Sequence, residues 1–159
     1  MSDVQSSQGG ARVSVPPPLV FLAAIAAGAG LGYLLPLRIG ARLGVRLALG
    51  GAVIAAGVAL AGWARGLFLK TGQDPRPWRP SPELILRGPY RHTRNPMYVG
   101  VTTVTAGIGL AMGNIWVLLL APAALLSVHF LAVLPEEAYL ADKFGESYLR
   151  YKAQVRRYL

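Results

Sequence analysis

The sequence predicts an all-α protein, a polytopic membrane helical bundle of about four transmembrane helices with an amphipathic C-terminal helix. Three observations predict this fold class. Hydrophobic residues make up 53% of the 159 residues and charged residues only 14%, whereas soluble domains carry about 25% charged residues. The few charges gather in short segments and leave four long apolar runs between them. Each run approaches the roughly 20 residues that a membrane-spanning helix needs.

The first half of the chain is predicted to hold a tail and two spans. Residues 1–15 are rich in Ser, Gly and Gln and are predicted to be disordered. The apolar run over 16–37 can span the bilayer and lacks the strongly basic start of a signal peptide, so we expect it to be retained. The second span covers 43–68, and Arg46 lies near enough to its end to reach the membrane surface. Residues 16–159 are predicted to form one membrane domain.

The second half is predicted to contain a helical hairpin after a long connector. The connector over 69–95 is polar and basic, and the spans that follow cover 96–113 and 115–134. The dipeptide Gly113-Asn114 leaves almost no loop between these spans, so they are expected to lie antiparallel and in contact. All four runs are predicted to be helices because a lipid-exposed backbone must satisfy its own hydrogen bonds.

The chain after the fourth span is predicted to form an amphipathic helix over 136–157. Apolar residues recur there at spacings of three and four, and the opposite face is basic. Gly145 within this stretch is a candidate for a bend. Such a helix is expected to lie along the membrane surface or to fold back over a site.

The distribution of basic residues predicts the orientation. Of the 16 lysines and arginines, 13 lie before the first span, around the connector or near the C-terminus, and only three lie around the first loop, namely Arg38, Arg42 and Arg46. Cytoplasmic loops carry the excess of positive charge. We therefore expect an integral multi-pass protein of the plasma membrane, the inner membrane in a bacterium, with both termini in the cytoplasm.

Charge and composition narrow the possible partners. The net charge is +9, but the basic residues border apolar spans, which favours anionic lipid headgroups over nucleic acid. The chain has no cysteine, and its two histidines, His92 and His129, are far apart in sequence. Disulfides and thiolate catalysis are thereby excluded, and we expect no bound metal.

An anion site is predicted where the third span begins. Asn95 is a strong N-cap residue and Pro96 suits the first helical position. The free backbone donors at that helix end, together with Arg91 and Arg94, would suit a carboxylate or phosphate. The alternative is that both arginines only anchor the helix to lipid phosphates.

A cation site is predicted where the fourth span ends. Glu136 and Glu137 are adjacent carboxylates at a membrane boundary, which is costly unless they are exposed or paired. They would suit a ligand ammonium, or they could simply pair with nearby arginines. Because the last two spans form a hairpin, the anion and cation sites are expected side by side, where they could bind an amino-acid-like zwitterion.

Three further polar residues lie close to these ends. His129 precedes Glu136 by two helical turns on the same face, and it could face the ligand or bond to a neighbouring helix. Tyr90 and Tyr98 lie near the predicted membrane boundary. Tyr98 could face the ligand, and both tyrosines could equally belong to the aromatic belt.

Two segments carry a resemblance to a known family. The first runs Thr71-Gly-Gln-Asp-Pro-Arg-Pro-Trp-Arg-Pro and continues at Gly88-Pro-Tyr-Arg-His-Thr-Arg-Asn-Pro-Met-Tyr-Val-Gly100. The second comprises Glu136-Glu137, Lys143-Phe-Gly-Glu-Ser-Tyr-Leu-Arg-Tyr and Val155-Arg-Arg. Together they closely resemble the isoprenylcysteine carboxyl methyltransferase family, and the related phospholipid N-methyltransferases share the overall pattern. The similarity extends from about residue 16 to the C-terminus.

The resemblance implies a multi-pass methyltransferase that uses S-adenosyl-L-methionine and a lipid-like or amphiphilic acceptor. It implies a cofactor site at the cytoplasmic ends of the last two spans, covered by the C-terminal region. With the residue analysis above, the candidate cofactor-binding residues are Tyr90, Arg91, Arg94, Asn95, Pro96, Tyr98, Gly100, His129, Glu136 and Glu137. Among these, Arg94 and Glu137 are the candidate catalytic residues.

The sequence also departs from that family. Asn95 stands where the eukaryotic prenylcysteine enzymes tend to carry histidine, and the chain is shorter than those enzymes. Both departures weaken the expectation of a prenylated-protein substrate. The alternatives are a phospholipid N-methyltransferase, an NADPH-dependent membrane reductase of similar architecture, and a non-catalytic membrane protein that binds anionic lipid.

Overall fold

The computed structural model describes residues 10–158 as a bundle of helices, with no β-strand among them, which confirms the all-α prediction. A short 3₁₀ turn, Gly88–Arg91, precedes the third helix, and a π turn, His129–Val133, joins the fourth and fifth helices without a break. The helices are α1 (Pro17–Leu34), α2 (Leu43–Lys70), α3 (Pro96–Met112), α4 (Ile115–Val128), α5 (Leu134–Phe144) and α6 (Glu146–Gln154).

Within residues 10–158, three helical stretches are long and apolar enough to cross a membrane. They are α1, α2 and the continuous stretch Ile115–Phe144. The fourth apolar helix, α3, has 17 residues, which corresponds to a length of about 25 Å. The predicted membrane bundle is therefore confirmed as three long apolar helices and one shorter one.

The α3–α4 hairpin has the tight geometry that the sequence predicts. Gly113 ends α3 with φ of 66°, in the left-handed region that favours glycine. The side chain of Asn114 then caps α4, accepting hydrogen bonds from the backbone N–H of Trp116 at 2.9 Å and of Val117 at 3.3 Å. Two residues thus reverse the chain, and α4 begins in contact with α3.

Glycines allow α2 and α3 to pack closely. A Cβ atom placed on Gly57 would lie 2.6 Å from the carbonyl oxygen of Gly100, and one placed on Gly100 would lie 2.8 Å from that of Gly57. Gly50 and Gly107 meet the facing helix in the same way farther along. Small residues permit such backbone approach in lipid, so α2 fixes the position of α3.

The first helix packs against α4 on the other side of α3. Gly28 lies against Val117, and the Nδ2 atom of Asn114 donates to the Gly28 carbonyl at 3.0 Å. Phe21 joins the buried cluster of α4 residues around Ala124 and Val128. The helices are therefore arranged in the order α2, α3, α4, α1.

Arg46, which is predicted to reach the membrane surface, also makes a contact within the bundle. Its Nη1 atom donates to the carbonyl oxygen of Met112 at 3.2 Å. This carbonyl belongs to the last turn of α3, where backbone acceptors lack helical partners and the helix dipole favours a cation. The arginine caps α3 at the bundle end that holds the α1–α2 loop.

The end of the fourth span differs from the prediction. A stop near residue 134 was expected, but the helix continues through the π turn and α5 to Phe144. The predicted helix over 136–157 is consequently divided, because its first part, α5, continues the fourth helix and its second part is α6. Gly145, with φ of 51°, separates the two and provides the predicted bend.

The predicted disordered tail over 1–15 is ordered where it can be described. Residues 1–9 lie outside the described part of the chain. The backbone N–H of Ala11 donates to the Pro77 carbonyl at 2.8 Å, and Ala11 is buried. Residues from Gly10 onward therefore pack against the connector, which covers residues 71–95 in the structure because α2 extends to Lys70.

Candidate active site at the connector end of the bundle

A polar pocket lies where α3 and α5 begin. The space inside it that can hold water-sized molecules is about 50 Å³, which is smaller than the roughly 300–1,000 Å³ of small-molecule sites. The connector, the 3₁₀ turn, α3, α5 and α6 all contribute to its walls. Its principal polar lining residues are Tyr90, Arg94, Asn95, Tyr98, Glu136, Glu137 and Tyr148.

Arg94 and Glu137 meet inside this pocket. The Nη1 atom of Arg94 lies 3.1 Å from the Oε1 atom of Glu137, and the side chains are only 8% and 6% exposed. The prediction that opposite charges from two neighbouring helix ends come together is confirmed. Their roles in ligand binding remain a prediction.

Glu137 has two further basic partners near the C-terminus. Arg157 donates to both carboxylate oxygens, at 2.7 Å from Nε and 3.0 Å from Nη2, and the Nζ atom of Lys152 lies 3.4 Å away. These hydrogen bonds and the negative charge of Glu137 raise the pKa of Arg157. We call Arg94, Glu137, Lys152 and Arg157 the charge cluster.

Sequence analysis did not identify Lys152 and Arg157 as site residues. The sequence pattern places both residues on the basic face of the helix predicted over 136–157. The only available signal was the Val155-Arg-Arg ending, which belongs to the resemblance but carries no chemistry by itself. Their proximity to Glu137 depends on the bend at Gly145, which returns α6 to the pocket.

Glu136 is in a different environment from its neighbour. Its Oε2 atom accepts one hydrogen bond, from the hydroxyl of Tyr98 at 3.2 Å. Among residues 10–158, no basic side chain lies within ion-pair distance of Glu136. Of the two adjacent carboxylates, Glu136 is the one available to a cationic ligand.

Two buried donor groups at the pocket lack hydrogen-bond partners within the described chain. They are the guanidinium of Arg94, at both Nε and Nη1, and the hydroxyl of Tyr90, although Arg94 Nη1 lies within ion-pair distance of Glu137. Burial and the nearby charge of Glu136 raise the pKa of Tyr90, so this hydroxyl keeps its proton and can donate. Buried polar groups are nearly always hydrogen-bonded, so these two donors are suited to an anionic or polar ligand.

Asn95 does not cap α3 as the sequence predicts. It makes no side-chain hydrogen bond to the first turn of the helix, and its Nδ2 atom donates instead to the Arg157 carbonyl at 3.1 Å. The same carbonyl accepts from the hydroxyl of Thr93, and the N–H of Arg94 donates to the Arg156 carbonyl at 2.9 Å. The chain before α3 therefore pairs with residues 155–158, which we call the C-terminal segment.

The short helix α6 forms one wall of the pocket. Its residues Tyr148 and Tyr151 are buried and line the pocket. The Tyr151 hydroxyl donates to the Tyr90 carbonyl at 2.7 Å and joins α6 to the 3₁₀ turn. The C-terminal region covers the pocket, in agreement with what the resemblance implies.

Three predicted site residues lie elsewhere. Arg91 is exposed and borders a separate surface depression together with Arg150, so the predicted pairing of Arg91 with Arg94 is wrong. Gly100 faces α2, as described above.

His129 accepts or donates one hydrogen bond at Nδ1, with the Tyr158 hydroxyl at 2.9 Å, and does not line the pocket. Pro96 does line the pocket, as the first residue of α3.

An apolar groove adjoins the polar pocket. Its volume is about 1170 Å³ including its open side, and it lies between α1, α2 and α3. Met97 and Tyr98 line both the groove and the pocket. Phe21 and Val101 contribute to its apolar walls, and the groove has two basic lining residues, Arg65 and Arg76.

Comparison with known proteins decides the family. A profile of the phospholipid methyltransferase family matches residues 45–147, a region that includes most of α2, the connector, α3, α4 and α5. The chain belongs to the phospholipid methyltransferase family. The matched region contains Arg94, Glu136 and Glu137, whereas Lys152 and Arg157 lie beyond its end.

A curated relative supports the same conclusion. This family member is 35% identical over 72 residues to a protein-S-isoprenylcysteine O-methyltransferase of Schizosaccharomyces pombe. The similarity covers 45% of this chain and 30% of that relative. The chain therefore matches less than a third of the yeast protein's length.

Proposed function

We propose that this protein transfers a methyl group from S-adenosylmethionine to a lipid-like acceptor at the polar pocket. The observation that carries the proposal is that one pocket is lined both by Glu136, a carboxylate without a basic partner among residues 10–158, and by Arg94, a buried guanidinium with unused donors. The methionine part of the cofactor carries an ammonium and a carboxylate. Family membership supports the methyl-transfer chemistry.

The lining residues suit such a ligand. In the proposal, Glu136 binds the ammonium, and Arg94 binds the carboxylate through its free Nε atom. The rings of Tyr90, Tyr98 and Tyr148 supply aromatic faces to a positively charged sulfur. The cofactor, when bound, supplies a methyl group already activated on sulfonium sulfur. The protein's task is then to hold the acceptor in line with that carbon and to exclude water.

The acceptor is proposed to occupy the apolar groove. The groove opens between α1 and α2, which are both candidate membrane spans, so an apolar chain could enter it from the bilayer. Its wall at Met97 and Tyr98 is shared with the pocket, which places an acceptor bound there next to the methyl donor. Arg65 favours an acceptor with an acidic head, as in carboxyl O-methylation, whereas Arg76 is already paired with Asp74.

Phospholipid N-methylation is the second candidate. The family description favours it, whereas the name of the yeast relative and the basic lining of the groove favour a carboxylate acceptor. The two reactions differ in their product. An ester releases methanol in mild base, and a methylated amine does not.

The orientation is also part of the proposal. We place the polar pocket on the cytoplasmic side, because 13 of the 16 basic residues belong to that end of the bundle. A water-soluble cofactor then enters from the cytoplasm while the acceptor enters from the lipid. Labelling of single cysteines introduced at exposed positions of the connector, from either side of sealed vesicles, tests this orientation.

Binding of S-adenosylhomocysteine to the purified protein in detergent tests the pocket assignment. Arg94→Ala and Glu136→Gln are each expected to weaken binding about 10- to 100-fold, because each removes a charge-assisted hydrogen bond. Arg91→Ala is the matched control, since it removes a nearby arginine that borders a different depression, and it is expected to change affinity by less than about twofold. Equal affinities for all three variants would contradict the proposal.

A transfer assay tests the reaction itself. Membranes containing the protein are incubated with methyl-labelled S-adenosylmethionine, and label is expected in a lipid fraction as base-labile ester. Base-stable label in a phospholipid headgroup would favour the second candidate. Thermal stabilisation by NADPH and not by S-adenosylhomocysteine would instead support a reductase. Stabilisation by neither compound would support a non-catalytic, lipid-binding protein.

A further inference from the structure

We propose that Arg157 is a positioning residue, which acts through Glu137 to hold Arg94 in the orientation that binds the ligand carboxylate. Glu137 is then an internal link of the site and not a ligand for the ammonium. This inference depends on the proposed function, because it assigns separate tasks to the two adjacent carboxylates. It also makes the C-terminal segment part of the site, although that segment lines none of the pocket.

The geometry of Glu137 supports this role. Arg157 binds both carboxylate oxygens of Glu137, at 2.7 Å and 3.0 Å, in a bidentate arrangement that fixes the orientation of the carboxylate. The Oε1 atom that Arg157 Nε contacts is also the atom nearest to Arg94, at 3.1 Å. Arg157 therefore sets the orientation of the carboxylate against which the Arg94 guanidinium lies.

The backbone connects the same residues a second time. The carbonyl of Arg157 accepts from Asn95 Nδ2 and from Thr93 Oγ1, each at 3.1 Å, and the Arg156 carbonyl accepts from the Arg94 N–H. Arg94 is consequently held from its main chain and its side chain by one segment. Tyr158 anchors the far end of that segment through its hydrogen bond to His129.

The charge balance excludes Glu137 as the ammonium site. The charge cluster contains three cationic side chains and one carboxylate, so it keeps a surplus of positive charge. A ligand ammonium would be the fourth cation around Glu137 and would be repelled, whereas a ligand carboxylate beside Arg94 would be attracted. Glu136 has no basic partner within the described chain and lies on the pocket wall.

Binding of S-adenosylhomocysteine to the full-length protein, measured by titration calorimetry in detergent, tests the inference. Arg157→Ala is expected to weaken binding about tenfold or more. Arg157→Lys is expected to bind more tightly than Arg157→Ala but less tightly than the wild type, because a lysine cannot make the bidentate contact. Addition of free guanidinium to Arg157→Ala is expected to recover affinity. The matched control is Arg156→Ala, which removes the same charge from an exposed neighbouring side chain and is expected to change affinity less than about twofold.

Hydrogen exchange without any ligand provides a second measurement. Glu137→Gln and Arg157→Ala are expected to speed exchange of the Arg94 amide about tenfold or more, because its acceptor lies in the C-terminal segment, whereas Glu136→Gln leaves that amide protected. Unchanged exchange in Arg157→Ala, or equal losses of affinity in Arg156→Ala and Arg157→Ala, would overturn the inference. If Arg157→Ala does not fold, Arg157→Lys decides by the same two measurements.

The two proposals fail in different ways. If S-adenosylhomocysteine does not bind the wild-type protein, the proposed function fails, while the exchange data still show whether Arg157 orders Arg94. If the ligand binds and Glu137→Gln is as defective as Glu136→Gln but without faster exchange at Arg94, Glu137 is a ligand after all. In that case the proposed function stands and the assignment of Glu137 is wrong.

Discussion

Substitution of Gly100 by alanine tests whether this glycine serves helix packing or ligand binding. The added Cβ atom would lie 2.8 Å from both the Ala61 Cβ atom and the Gly57 carbonyl oxygen. Favourable carbon contacts need about 3.5–4.0 Å, so α2 and α3 would have to separate by about 0.7–1.2 Å. Overpacking of this kind costs about 1–3 kcal/mol of folding stability.

A second glycine of the bundle gives the matched control. Gly51 is exposed on α2, and a Cβ atom placed on it would have no neighbour within 4 Å. Gly51→Ala is therefore expected to stabilise the helix by about 0.5–1 kcal/mol, since glycine is the more flexible residue. The two substitutions add the same methyl group and are expected to change stability in opposite directions.

Thermal unfolding in detergent, followed by circular dichroism, measures the difference. About 2–4 °C of Tm is expected per kcal/mol for a chain of this size, so Gly100→Ala should lower Tm by about 2–12 °C. If Gly100→Ala instead keeps its Tm and loses only affinity for S-adenosylhomocysteine, the close contact with α2 is wrong and the sequence-based assignment of Gly100 to the cofactor site is correct.

Three further predictions concern other parts of the bundle. Asn114→Ala removes the cap of α4 and the hydrogen bond to Gly28, so it is expected to cost about 1–3 kcal/mol in thermal unfolding, and an unchanged Tm would contradict this. Arg46→Ala is expected to cost about 1–2 kcal/mol because it uncaps α3, whereas Arg42→Ala should stay within about 0.5 kcal/mol. The pKa of Asp74 is lowered from 3.8 to about 2, chiefly by the side-chain hydrogen bonds from Arg76. The stabilisation from that pair is therefore present above pH 3.8 and lost as the pH falls through about 2. A carboxyl titration by NMR with a midpoint near 4 would show that the pair does not form.

The helix boundaries that sequence analysis found correctly are those marked by local chemistry. Proline begins α1 and α3, and the dipeptide Gly113-Asn114 makes the hairpin, so these boundaries agree with the prediction within three residues. The fourth helix runs past its predicted end at residue 134, because Pro135 lies in the first turn of α5, directly after the π turn, and does not interrupt the helix. The helix ends instead before Gly145, whose positive φ disfavours other residues.

Sequence analysis could predict only those contacts of the site that follow from where neighbouring helices begin and end. The hairpin alone places Arg94 near Glu137, and that expectation is confirmed. The contacts of Asn95 and Arg157 depend on the return of the C-terminal segment across 62 residues of sequence. Such long-range pairing leaves no periodic pattern, so Asn95 was assigned the capping role that its residue type favours.

The π turn between α4 and α5 determines which neighbouring residues the two adjacent carboxylates face. Successive residues of an α-helix point about 100° apart, so Glu136 and Glu137 necessarily face different neighbours. The wider turn at His129–Val133 sets the direction in which each side chain of α5 points around the helix axis. Deletion of one residue from that turn would rotate α5 by about 100°, so that Glu137 would meet Tyr98 and Ala138 would face the arginines. The length of a helical segment outside the pocket therefore determines which carboxylate meets Tyr98 and which one pairs with the arginines.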